Sequence, residues 1–219
     1  MSATLTDVPA AVEVSTDSAG RRFGIATLAA AVVAALLVGF AVAMIIYRPA
    51  TTPGDTSAEA GFARDMITHH HQAVEMGMIA YDRATLPSVR QLGYDIATAQ
   101  QGEIGMMHQW LRDWGLLPTG SEPPMAWMPD GDAFVGVPMP GMATSEQMRE
   151  LREAEGSEVD QLFLELMHTH HLGGIHMIDG ALDLAEHPEV RWLAGLMKEA
   201  QQRELVVLRD LQEQVAQTS

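Results

Sequence analysis

The chain contains no cysteine, which removes disulfides, thiolate metal ligands and thiol nucleophiles together. Basic side chains are scarce: 13 Lys and Arg stand against 29 Asp and Glu, a formal net charge of −16. Nucleic-acid binding calls for a basic footprint, so this balance argues against it. An acidic exterior favours solubility and draws cations. Aromatics are few, with five Phe and three Tyr, and no segment has the alternation of a strand. Against these shortages, 15 Met and nine His stand out. A chain of 219 residues makes one domain or two small ones, with length enough to bury a core.

Residues 1–22 have neither helical nor strand period and read as a disordered cytoplasmic tail. Residues 23–47 carry no charge and are long enough to cross a bilayer as a helix, a single-pass anchor rather than a short signal-peptide core. Arg21 and Arg22 precede that run and only Arg48 follows closely, which places the N-terminus inside the cell and the rest of the chain outside. Residues 48–55 form a linker. Thr56-Ser57-Ala58-Glu59 has capping-box spacing and starts a helix that runs to about Thr85. A second helix follows Pro87 and ends near Trp114. The crossover, 117–156, is dense in Pro and Gly, carries Met125, Met128, Met139 and Met142, and includes a short helix capped by Thr144. A second hairpin spans 157–217 and turns at His187-Pro188.

The two hairpins, 56–116 and 157–217, are copies. Phe62 falls on Phe163, a shift of 101 residues. The same shift takes Met66, His69, His70 and Met76 onto Met167, His170, His171 and Met177, and Gln100 and Glu103 onto Gln201 and Glu204. Roughly fifty positions align without a gap, so the domain is a duplicated helical hairpin. At about 100° per residue, Met66, His69, His70 and Ala73 share one face, as do Met167, His170, His171 and Gly174. Met76 and Met177 sit at its edge. In each following helix a Gln and a Glu interrupt an apolar stripe, and a buried carboxylate needs a partner. His70 precedes Pro87 by 17 residues and Ile104 follows it by 17, so His70 is level with Glu103; the same count from Pro188 levels His171 with Glu204. The fold expected is all-α, an antiparallel four-helix bundle with a long crossover behind an N-terminal transmembrane helix.

Adjacent histidines flanked by methionines, occurring twice, point to a metal ion. Imidazole ligates many transition metals and thioether sulfur selects soft Cu(I) or Ag(I). The Gln and Glu side chains are expected as further ligands or as acceptors that orient the imidazoles. His71 and Glu75, one turn apart, point away from the core and could chelate a weak surface ion, while His168 and His176 face outward in the second copy as further peripheral candidates. Two other readings stay open: a structural or partner-binding bundle without metal, whose polar layer only sets helix register, and a ferritin-like di-metal oxidase. The latter wants Glu-x-x-His from two helices, and only Glu165-Leu166-Met167-His168 has that spacing, its counterpart beginning with Arg64.

The repeated Met-x-x-His-His with a Met six residues after its second histidine, followed by Gln-x-x-Glu, resembles the family known as domain of unknown function 305. The resemblance covers residues 56–215, in both halves. It implies a ferritin-like four-helix fold, often exported or membrane-anchored in bacteria, with some periplasmic members that bind copper and are linked to copper or silver tolerance. The matching positions are Met66, His69, His70, Met76, Gln100 and Glu103, then Met167, His170, His171, Met177, Gln201 and Glu204. His168 and His176 depart from the family pattern. The function expected is an extracytoplasmic, membrane-anchored protein that sequesters or hands on copper without catalysing a reaction. Its expected partners are the bilayer and the metal, with no organic cofactor; self-association and protein partners stay open.

Overall fold

In the computed structural model of the chain, which describes residues 24–46 and 52–218, every regular element is helical. The expected tail, 1–22, lies outside the described residues, as do both edges of the expected anchor and the first part of the linker. Helix α1, Ile25–Ile46, carries no charged residue and is long and apolar enough to cross a membrane. It forms one compact unit and the remaining helices form another.

The second unit contains α2 (Ala58–Arg83), α3 (Pro87–Asp113), the short α4 (Ser145–Glu153), α5 (Ser157–Leu184) and α6 (Pro188–Thr218). Pro87 and Pro188 each occupy the first position of a helix, where proline's missing N–H costs nothing. Thr144 caps α4 with both bonds of a capping box. The cap of α2 differs from the sequence expectation. Ser57, not Thr56, accepts the bond from a backbone N–H, that of Ala60. Glu59 does not complete a capping box; it reaches instead across the bundle.

That reach is one half of a reciprocal arrangement. Glu59, at the start of the first hairpin, accepts from the backbone N–H groups of Glu186 and His187 in the second hairpin's turn, at 2.8 and 3.2 Å. Asp160, its counterpart in the repeat, accepts from the N–H groups of Thr85 and Leu86, both at 2.9 Å, and from the Thr85 hydroxyl at 2.6 Å. Each hairpin thus ties the other's turn. Burial works to raise the Glu59 pKa, yet its backbone donors prevail and hold it below the usual carboxylate range.

Helices α2 and α5 pack together, each against its own hairpin partner, whereas α3 and α6 make no extensive backbone contact. Within the first hairpin the approach is close. A Cβ on Gly77 would stand 2.5 Å from the Gly93 carbonyl oxygen, and one on Gly93 would stand 2.6 Å from that of Gly77.

Two apolar clusters fill the bundle. One joins the start of α2 and the end of α3 to the end of α5 and the start of α6, around Phe62, Met107, Ile178 and Leu193. The other joins the opposite ends around Ile96, Phe163, Leu164 and Leu208. The loop methionines Met125, Met128 and Met139 are buried in the first cluster, so they pack on the bundle and form no free thioether array.

Because the two buried carboxylates each bond turn N–H groups of the other hairpin, Asp160→Ala and Glu59→Ala should each destabilise the helical domain by about 1–3 kcal/mol, the range for hydrogen bonds to a charged group. Urea unfolding of residues 52–219 measures this, and Glu158→Ala, at an exposed position, should change little.

Candidate metal centre

Between the two apolar clusters lies a polar layer, and it contains the residues the sequence singles out. His69, His70, His170 and His171 are all essentially fully buried, and Gln100 and Gln201 nearly so. The His69 and His170 rings face each other across the α2–α5 contact with centroids 3.7 Å apart. His70 and His171 lie outside this pair, 6.4 and 6.5 Å from their chain neighbours, towards α3 and α6.

The level argument from the turn prolines holds. His70 Nε2 is 2.8 Å from Glu103 Oε2, and His171 Nε2 is 2.6 Å from Glu204 Oε2. The two carboxylates are the outer members of the layer, with side-chain exposures of 19% and 23%. The inner histidines find backbone instead: His69 Nε2 lies 3.1 Å from the Pro140 carbonyl, and His170 Nε2 lies 3.1 Å from that of His69.

These partners assign the tautomers. A carbonyl oxygen only accepts, so Nε2 carries the proton in His69 and His170, and a carboxylate asks the same of His70 and His171. In the neutral ring Nδ1 is then a bare lone pair. All four Nδ1 atoms are buried without a hydrogen-bond partner among the described residues, and so are Gln100 Oε1 and Gln201 Oε1. Six acceptors in one layer lack a donor. A layer that served register alone would be expected to satisfy them, since buried polar groups are otherwise bonded. Bare imidazole nitrogens whose far side donates to carboxylate or carbonyl are the arrangement that metal-binding histidines adopt, so the residues fit a metal ion.

The methionines are sorted differently from the sequence pattern. Met66, Met76, Met167 and Met177 are all fully buried, but Met66 and Met177 belong to one apolar cluster and Met76 and Met167 to the other. Each side of the histidine layer therefore has one thioether from each repeat, because α2 and α5 run antiparallel. Among the described residues no three His, Asp or Glu side chains are grouped to hold a metal. A centre here must draw on sulfur or amide oxygen beside imidazole.

The peripheral candidates are not brought together. Glu75 is bound by Arg152 at 2.5 Å rather than poised with His71, and both are exposed. His176 pairs with Asp130 at 2.9 Å beside the Phe134 ring, and His168 is only half-buried on another face. Glu165, which begins the one Glu-x-x-His sequence, is exposed, so that motif does not point into the bundle.

The crossover contributes what the sequence does not announce. Gln72 exchanges two hydrogen bonds with the Ala143 backbone, at 2.7 and 2.9 Å. Gly141, with φ of +75°, lies against α5, where a Cβ on Gly173 would stand 2.1 Å from the Pro140 oxygen. Only glycine admits that approach. At the other end, buried Asp65 accepts from the Met125 N–H and the Trp127 indole at 2.7 and 2.8 Å, and burial raises its pKa. The one legible signal was Gly173-Gly174 standing where the first copy has Gln72-Ala73.

A family model, the domain of unknown function (DUF305), matches residues 59–212. Among solved structures, a DUF305 protein from Streptomyces coelicolor, named as a candidate secreted protein, is 42% identical with a TM-score of 0.70, covering 74% of this chain and 96% of its own. A DUF305 fragment from Deinococcus radiodurans is 27% identical with a TM-score of 0.61, over 72% and 96%. CopM in its Cu(I)-bound form shares the fold at 22% identity and a TM-score of 0.55, over 72% and 96%; Cu(II)- and Ag-bound forms of CopM match alike. No curated protein matches.

Burial holds the inner histidines neutral. Desolvation, with smaller repulsion from neighbouring imidazoles, lowers the His69 pKa to about 3 and that of His170 well below its ordinary value. Below about pH 6.5 the unfolded chain binds protons that the folded chain refuses, so the metal-free domain is fully stabilised above that pH and weakens towards pH 3. The expected slope is about 1.4 kcal/mol per pH unit for each ring. Urea unfolding at pH 7, 6 and 5 should show it, and His69→Gln with His170→Gln, which keep a side-chain N–H donor, should flatten it. An unchanged slope in that double variant would show that these rings are not the source.

Proposed function

The chain belongs to the domain of unknown function 305 family, and from that premise we propose that it is a membrane-anchored, extracytoplasmic protein that sequesters or hands on copper, without catalysis. The observation that carries this reading is the set of four buried imidazole Nδ1 atoms without a donor. His69, His70, His170 and His171 would supply imidazole nitrogen, with no three of these described side chains grouped on one ion, and with thioether from Met66 and Met177 on one side and Met76 and Met167 on the other. Gln100 and Gln201 offer oxygen, while Glu103 and Glu204 orient His70 and His171 from outside.

This donor set favours Cu(I) over Cu(II). Carboxylates suit the harder ion, but here they face outward and are engaged by Nε2. What remains inside is neutral nitrogen and sulfur, which suits soft Cu(I) or Ag(I). That CopM, of the same fold, has been solved with Cu(I), Cu(II) and Ag indicates which ions to test. A di-metal oxidase is disfavoured by the outward Glu165 and by the lack, among the described residues, of a group of three His, Asp or Glu able to hold a metal.

The proposed organisation is a tail over 1–22, an anchor over 23–47, a linker over 48–55 and a bundle domain over 56–217. Export is supported by the apolar α1, by Arg21 and Arg22 ahead of it, and by the relative from Streptomyces coelicolor. Protease added to intact spheroplasts should remove the domain after Arg48; protection of that domain would overturn the topology.

Copper titration tests the function itself. Cu(I), presented with a competing chromophoric chelator, should bind the untagged wild-type domain, and His69→Ala with His70→Ala should weaken binding at least about tenfold, equivalent to 1.4 kcal/mol. His108→Ala should leave it unchanged. Equal affinity in the double variant and the wild type would return the layer to a purely structural role.

A further inference from the structure

The layer has two faces, and they are closed to different degrees. On the α2–α5 face the crossover seals it: Pro140 takes the His69 bond, Gly141 lies on Gly173, and Gln72 pins Ala143. On the opposite face α3 and α6 make no extensive backbone contact. The cleft between them is narrow, with room for about one water-sized species. Its walls are Ala99, Gln100 and Glu103 from α3, and Ala200, Gln201 and Glu204 from α6. These are the same three residues twice, related by the 101-residue shift, so the opening lies where the two repeats meet as equals.

Chemistry agrees with position. The charged and the unpartnered atoms identified at the cleft are acceptors: two carboxylates that are partly exposed and two glutamine oxygens without a donor. Such a rim attracts a cation and repels an anion. Each carboxylate is hydrogen-bonded to a buried imidazole, so the rim and the interior are one bond apart. Alanine at the two outermost positions keeps the passage open, Ala99 being exposed and Ala200 half-exposed. The thioether-bearing Met197, which is buried, lines the same cleft.

We propose that the α3–α6 cleft is the port through which the metal ion enters and leaves, with Glu103 and Glu204 as its paired first contacts. This rests on the metal-binding reading above. A port differs from a ligand in its signature: narrowing it slows loading and release together and leaves the equilibrium affinity unchanged.

The test is a graded series at both rim alanines, Ala99 and Ala200 to Val, to Leu and to Phe, loaded with Ag(I) as a redox-inert soft cation. Stopped-flow tryptophan fluorescence follows loading, and transfer to excess chelator follows release. Both rates should fall with side-chain size, by about tenfold or more at Phe, while the dissociation constant stays within error of wild type. Gln101→Phe with Gln202→Phe, on exposed neighbouring positions, should load at the wild-type rate. The Val and Leu steps keep the comparison if the Phe pair fails to fold. Wild-type binding with rates indifferent to rim size would overturn the port and leave the metal site standing. Absence of Ag(I) and Cu(I) binding by the wild type would overturn both.

Discussion

The hydrogen bond from each buried Nε2 is the interaction on which the structure turns. It fixes ring orientation, assigns the tautomer and leaves Nδ1 bare. His70 and His171 obtain it from Glu103 and Glu204, and His69 and His170 from main-chain carbonyls. The layer so formed divides an otherwise apolar core into two clusters. An unsatisfied buried acceptor costs about 1–3 kcal/mol, and half-satisfied polar networks are worse than apolar ones. Six such acceptors in one layer make the metal-free domain less stable than an all-apolar core would be. A cation that accepted their lone pairs would recover that loss on binding, so under the proposed function affinity and apo instability would have the same origin.

Duplication explains most of the geometry, and the crossover explains the departures from it. The Glu59 and Asp160 ties are related by the repeat shift, and they make each hairpin depend on the other. Symmetry fails where the crossover docks. His69 donates to Pro140, whereas its counterpart His170 donates to His69 itself. Gln72 grips the crossover where the second copy has Gly173 lying beneath it. The two halves of the layer therefore present the same donor atoms in different surroundings, and two ions bound there would experience different constraints.

Relations inside a hairpin were legible in the sequence, and relations between hairpins were not. A turn proline and a constant rise per residue fix which residues of two antiparallel helices are level, which is why His70 with Glu103 and His171 with Glu204 could be paired by counting. Nothing comparable fixes how one hairpin docks on another. The methionines of one repeat, grouped by their shared face, are in fact divided between the two clusters, because ten residues along one helix put them on either side of the histidines, and the antiparallel packing of α2 and α5 then groups Met66 with Met177 and Met76 with Met167. Glu59 has the spacing of a capping box and yet bonds across the bundle. The Pro140 carbonyl was invisible, since a backbone acceptor has no sequence signature. Glycines at 173 and 174 marked a close approach without naming what approaches.

On the proposed function, the arrangement also bears on which ion would be retained. The acidic surface attracts any cation, and more strongly one of charge two. Removing an ion from water, however, costs in proportion to the square of its charge, of order 20 kcal/mol for a single charge in the idealised limit. The inside of the histidine layer offers no formal negative charge to offset this: the inner imidazoles are held neutral by burial, the sulfurs are neutral, and the layer's carboxylates stand at its rim. A divalent ion would be drawn to the cleft and have little reason to go further. A soft monovalent ion pays a smaller desolvation cost and finds ligands matched to it. On this reading selectivity arises less from any one ligand than from the order in which oxygen, nitrogen and sulfur are met between surface and core.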